Sequence, residues 1–161
     1  MLRKITCLFI ISILFGCATP GTLPTQTNIN RSQIYNAPFN DVWEAIIEQI
    51  AESNLSITTL ERDSGIIAIS NSNYDPSWAE EGTRGETLGV PDVVTQRVAN
   101  FNIFAKEEGQ NEIKVRVNTS FRMLIRSGNG SEIYPFNSTW YDSYSNGTLE
   151  RLILEGISHH L

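Results

Sequence analysis

The sequence predicts an α+β fold: an antiparallel sheet of about five or six strands with two amphipathic helices on one face. Three observations predict it. Two segments, one near residues 38–53 and one closing the chain, repeat apolar residues at helical spacing. Between and around them lie runs rich in β-branched and aromatic residues. Tight turns of Gly, Asn, Asp and Ser join most of those runs, so consecutive strands must pair antiparallel. The 161 residues suffice for one ordinary domain, and 40% hydrophobic with 19% charged residues is a globular composition.

Residues 31–36 form a short strand leading into Pro38. Phe39, Val42, Trp43, Ile46, Ile47 and Ile50 then mark one helical face, while Asp41, Glu44, Glu48 and Glu52 fall on the others. Ser53-Asn54 ends this helix. Leu55–Leu60 and Ile66–Ser70 read as strands of a hairpin across Arg62-Asp63-Ser64-Gly65. Residues 72–91 hold two prolines, three glycines and four acids with little periodicity, and read as a long loop. Strands follow at roughly 93–105 and 111–126, joined through 106–110, and a third at 131–140 after Ser127-Gly128-Asn129-Gly130. Asn146-Gly147-Thr148 caps a last helix whose buried side is expected to carry Leu149, Leu152, Ile153, Gly156, Ile157 and Leu161. The predicted order is β-α-β-β-loop-β-β-β-α.

The N-terminus has a different character. Arg3 and Lys4 precede the apolar run Ile5–Phe15, and Gly16-Cys17 follows, which is the pattern of a secretory signal. The eleven residues of this run at ~1.5 Å each cover roughly half a bilayer core, too little for a membrane-spanning helix. Leu14-Phe15-Gly16-Cys17 resembles the lipobox of bacterial lipoproteins. That resemblance implies cleavage before Cys17, acyl chains on this cysteine and, with Ala18 rather than Asp following it, retention at the outer membrane. The expected division is a signal peptide at 1–16, a lipidated cysteine and flexible tether at 17–30, and one periplasmic domain at 31–161. The thirteen residues 18–30 carry no charge and could reach roughly 45 Å when extended.

The segments Tyr35-Asn36-Ala37-Pro38-Phe39-Asn40-Asp41-Val42-Trp43, Arg62-Asp63-Ser64-Gly65-Ile66-Ile67 and Ser145-Asn146-Gly147-Thr148-Leu149-Glu150 resemble those of BamC-type envelope lipoproteins. In that family the domains belong to the outer-membrane barrel assembly machine. The resemblance covers most of residues 31–161 and implies a helix-grip-like layout; its motifs are folding signatures rather than active-site ones.

Charge narrows the partners. Removal of residues 1–16 leaves 10 basic against 18 acidic residues, a net charge near −8. Such a domain gains nothing from neutralising phosphates, so no nucleic-acid partner is expected. Cys7 falls in the signal and Cys17 is acylated, so no thiol nucleophile remains. His159 and His160 lie at the chain end, where ordering is weakest, and read as a polar terminus. Asp142–Gly147 starts like a calcium loop, but position twelve is Ile153, which cannot ligate. Asp75, Glu80, Glu81, Glu86 and Asp92 form an acidic loop cluster, which reads chiefly as solvated charge. No cofactor, metal site or catalytic residue is expected.

Two features stand out as partner contacts. Tyr74 and Trp78 lie in the long loop, where exposed aromatics anchor partners and buried ones fold back on the sheet. Lys114, Arg116, Arg122 and Arg126 alternate with the apolar positions Ile113, Val115, Val117, Phe121, Met123 and Ile125 along one strand, giving a basic stripe in an acidic protein. The leading functional expectation is a non-enzymatic periplasmic module, anchored to the membrane through Cys17, that contacts proteins of an envelope assembly or transport system. The alternatives are a carrier of a small ligand or lipid in a cavity between helix and sheet, and a peptidoglycan-acting hydrolase using Glu80 and Glu81.

Overall fold

The computed structural model describes residues 20–26, 28–87 and 89–161, so the predicted signal segment and Cys17 lie outside the described residues. Strand β1 (Ser32–Asn36) leads through Pro38 into helix α1 (Phe39–Glu52), and β2 (Ile57–Glu61) with β3 (Ile66–Ser72) forms the predicted hairpin. A 3₁₀ turn (Pro76–Trp78) and three two-residue strands, β4 (Ala79–Glu80), β5 (Glu86–Thr87) and β6 (Val90–Pro91), occupy the expected loop. The long strands β7 (Val93–Gly109) and β8 (Glu112–Ser127) form the spine, followed by β9 (Asn137–Ser145) and helix α2 (Thr148–His160).

Every pairing is antiparallel, and the main sheet runs β2-β3-β7-β8-β9-β4 with β1 also on β8. The length of β8 makes this possible. Sixteen residues at ~3.4 Å span on the order of 50 Å, more than most strands. β7 pairs along nearly the whole of it, while its other edge is shared: β1 takes Glu112–Arg116 and β9 takes Phe121–Ser127.

The α+β architecture therefore forms as predicted, with both helices packed on the inner face. Val42, Trp43, Ile46 and Ile50 of α1 and Leu149, Ile153, Leu154 and Ile157 of α2 bury against Phe101, Ile103, Ile113, Val115 and Val117. Phe101 and Phe121 are among the largest fully buried side chains, each worth roughly 2–3 kcal/mol of burial. Tyr35 closes the seam between β1 and α2: its hydroxyl donates to the Leu154 carbonyl oxygen at 2.6 Å, and burial pushes the phenol well above its ordinary value.

Three local expectations change. β9 begins at Asn137 rather than 131, because Asn129 and Gly130 N–H groups both donate to the Tyr134 carbonyl and close a compact loop, and Pro135 has no N–H to give a ladder. Leu152 and Leu161 are exposed: the buried stripe of α2 is rotated so that Glu150 and Leu154 take inward positions, and Leu161 lies past the helix end. The described residues of the 72–91 segment take up a 3₁₀ turn and short strands, and the Tyr74 ring packs edge-on against Phe121 at 4.9 Å between centroids.

Candidate functional site

The inner and outer faces of β8 separate as their alternation requires. Ile113, Val115, Val117, Phe121, Met123 and Ile125 are buried inward, while Lys114, Arg116, Arg122 and Arg126 are exposed outward. The four cations do not share one environment. Lys114 lies between Lys106 of β7 and Ile34 of β1, and Arg116 donates from Nε to Asn118 Oδ1 at 2.9 Å. Further along, the guanidinium of Arg122 lies 5.3 Å from the Trp140 ring centre and that of Arg126 lies 4.9 Å from the Phe136 ring. Arg122 also pairs with Asp142, directly across the strand pair, at 3.5 Å. Exposed cation–π contacts contribute about 0.5–1 kcal/mol each, and they also hold the side chains in a fixed array.

Those rings remain open to solvent. Trp140 is 39% and Phe136 57% exposed, and Ile133, in the loop of the same β8–β9 hairpin, is 80% exposed. The loop is nonetheless well tied, since Tyr134 N–H donates to Ser131 Oγ and Ser131 N–H to Asn129 Oδ1. A fixed loop thus holds large apolar groups in water, beside two arginines that are stacked on rings.

On the inner face at the same end, Glu81, Thr83–Glu86 and Asp92 and the N-terminal residues Pro20–Pro24 line a groove of about 540 Å³. Met123 and Ile125 form its apolar floor, Tyr141 lies on the same face beside them, and Tyr144 borders the groove from the β9 edge. Glu81 lines it and belongs to a three-member cluster. Arg97 donates from Nε and Nη2 to the two oxygens of Glu81 at 2.7 and 2.9 Å, and the Tyr74 hydroxyl donates to Glu81 Oε1 at 2.9 Å. Burial alone would raise the Glu81 pKa. The hydrogen bonds from Arg97 and Tyr74, with the charges of Arg97 and Arg84, outweigh it and hold the carboxyl below its ordinary value. The Tyr74 phenol moves the other way, pushed up to about 12 chiefly by burial.

Pro20–Pro24 form the outer wall of this groove, although residues 17–30 were expected to be a free tether. Thr22 N–H donates to Thr83 Oγ1 at 2.9 Å, and Thr83 N–H returns to the Thr22 carbonyl at 3.2 Å. Glycine makes this approach possible. A Cβ on Gly21 would lie 2.3 Å from the Thr83 carbonyl oxygen, and one on Gly82, at φ +70°, would lie 2.2 Å from that of Thr22.

Other residues singled out from the sequence take structural positions. Tyr74 is only 5% exposed and Trp78 packs half-buried against the core, so neither is an exposed loop anchor; both rings are drawn in by the apolar face beneath them. Asp75 accepts the Ser77 N–H, and that bond holds its carboxyl below the ordinary range. His160 does not fray: its two ring nitrogens lie 3.4 Å from Glu48 and 3.4 Å from Glu52, which joins the end of α2 to α1. Glu150 was missed entirely as a feature. It is fully buried, accepts from Thr119 Oγ1 and Ser145 Oγ at 2.6 Å each, and lies 3.9 Å from Arg31 Nε. An acid in a first helical turn hints at a cap, but only β8 and β9 folding together could reveal its burial.

Among the described residues, no group of three His, Cys, Asp or Glu side chains is placed to hold a metal ion, and no helix is long and apolar enough to cross a membrane. No protein-family model matches the chain. No curated protein matches it either.

Proposed function

We propose that this chain is a membrane-anchored, non-enzymatic binding module of the cell envelope. In this reading acyl chains on Cys17 hold it at the outer membrane, and it engages a protein partner in the periplasm through the open face of the β8–β9 hairpin. The observation that carries the reading is the pair of arginines stacked on exposed aromatics, Arg122 on Trp140 and Arg126 on Phe136. Trp, Tyr and Arg dominate the residues that contribute most to protein–protein affinity, and prior ordering lowers the entropic cost of docking. Lys114 and Arg116 lie on the same outer face farther along β8, where they can extend such a contact.

The test has two parts. Replacing Cys17 with Ser abolishes membrane retention and changes processing if the cysteine is acylated; unchanged retention refutes the anchor. Photo-crosslinking residues placed in living cells at Trp140 and Phe136 capture one discrete envelope protein, and Arg122→Glu removes that adduct. If those positions capture nothing while the chain remains folded, the outer face is not the contact.

A further inference from the structure

β9 has an unfinished edge. On one side Asn137–Ser143 pairs with β8, but on the other β4 pairs only with Tyr144 and Ser145. Among the described residues, no strand pairs with the outer edge of Asn137–Ser143. Such an edge presents a row of backbone donors and acceptors, which extended peptides complete by strand addition. This edge is also chemically marked on both faces. Tyr141 points to the inner face across from Met123 and lines the groove, while Trp140 and Asp142 point to the outer face across from Leu124 and Arg122.

The charge of the groove limits what can lie along that edge. Glu81, Glu86 and Asp92 line it, with Asp142 at its β9 rim turned outward, against Arg84 alone as a lining cation. Arg97 and Arg84 already offset Glu81, the latter at 3.7 Å, and Asp142 has Arg122. Glu86 and Asp92 have no ion-pair or hydrogen-bond partner for their carboxylates among the described residues. Carboxylates without a partner among the described residues, beside the inward Tyr141 and an apolar floor, fit a cation on an apolar stem, which gains both ion pairing and ring contact. The volume also falls in the ~300–1,000 Å³ range of ligand clefts.

We infer that the outer edge of β9 accepts an extended, basic peptide segment of a partner protein by strand addition, with its arginine or lysine side chains entering the groove toward Glu86 and Asp92. The period of two along an added strand places alternate side chains on the inner and outer faces of the sheet. One face of the peptide therefore meets the groove, and the other lies beside Trp140. This names the partner chemistry of the binding module and deepens that reading, but it stands on the open edge and the groove rather than on the anchor.

The experiment uses the full chain and three pentapeptides, each acetylated and amidated: Leu-Arg-Leu-Arg-Leu, the same peptide with citrulline for arginine, and the same peptide N-methylated at alternate amides. The arginine peptide is expected to slow amide hydrogen exchange across Asn137–Ser143. Loss of its charge, loss of its edge amides, or the variant Glu86→Gln/Asp92→Asn is each expected to weaken binding by about tenfold or more. Equal binding of the citrulline peptide overturns the charge assignment, and equal binding of the N-methylated one overturns strand addition. No protection by any peptide, or protection confined to β2, overturns the whole inference. Retention of the Cys17→Ser variant reports on the anchored-module reading without involving this edge, so either result can fail without the other.

Discussion

The two halves of the β7–β8 ribbon share one alternation but serve different ends. Near the 110–111 turn, the inner residues Ile103, Ala105, Ile113 and Val115 lie under two helices and are sealed. Beyond Phe121 the helices stop, and Met123 and Ile125 lie instead against a groove lined by loop residues and the N-terminal residues. Packing in the first half fixes the fold, and incomplete cover in the second leaves a groove, an open strand edge and exposed rings. The difference teaches that one strand can supply a core and a recognition surface, provided it outruns the helices that cover it.

Substitutions should separate the halves. In the sealed half, Phe101→Ala is expected to lower stability by about 4 kcal/mol, read as a fall in urea midpoint without loss of cooperativity. Glu150→Ala, at the junction, leaves Thr119, Ser145 and Arg31 facing an empty position and is expected to cost about 3 kcal/mol. A smaller loss for Glu150→Gln, which keeps an acceptor, would sharpen that assignment. In the open half, Arg97→Ala strips Glu81 of its bidentate partner and is expected to cost about 2 kcal/mol by thermal melting.

The same cluster sets pH limits. Glu81 has a lowered folded-state pKa, so its contribution is full above the ordinary value of 4.5 and is lost as pH falls through the lower folded value. Tyr74 is raised from 10.0 to about 12, so its contribution is full below pH 10 and is lost as pH rises from there toward 12. Glu81→Gln should flatten the acid limb of the stability profile, and Tyr74→Phe should flatten part of the alkaline one. If neither limb changes, the cluster does not govern them. The smallest stability effect, within about 0.5 kcal/mol, is expected for Arg122→Ala, although it should weaken partner capture. A melting shift comparable to that of Arg97→Ala would mean that the outer stack is structural after all.

How much of this could be read from the sequence depends on the range of the signal. The helices and β8 announced themselves through period 3.6 or period 2, and the residues joining β2 to β3 fixed their pairing. The outward direction of Lys114, Arg116, Arg122 and Arg126 followed from the same alternation. The fate of Tyr74 did not, since a loop tyrosine carries no period and its burial depends on Phe121, forty-seven residues later. The Arg97–Glu81 pair was hidden for a related reason: a register shift between Val94 and Gln96 turns Arg97 to the inner face beside Met123. Phe136 and Trp140 were assigned to one strand, whereas the compact turn before Asn137 places Phe136 in the loop, stacked with Arg126.

The bond between Thr22 and Thr83 has a consequence for posture. With Pro20 lining the groove on the domain, only Ala18 and Thr19 lie between it and Cys17, a leash of about 10 Å. A domain held by lipid at Cys17 would then not swing freely through the periplasm. It would ride low, with the hairpin end turned toward the headgroups, and a partner would have to approach along the bilayer plane rather than from above. Gly82→Val, which forces the two backbones apart, should lengthen that leash and let the domain tumble, a change that fluorescence anisotropy on vesicles would register.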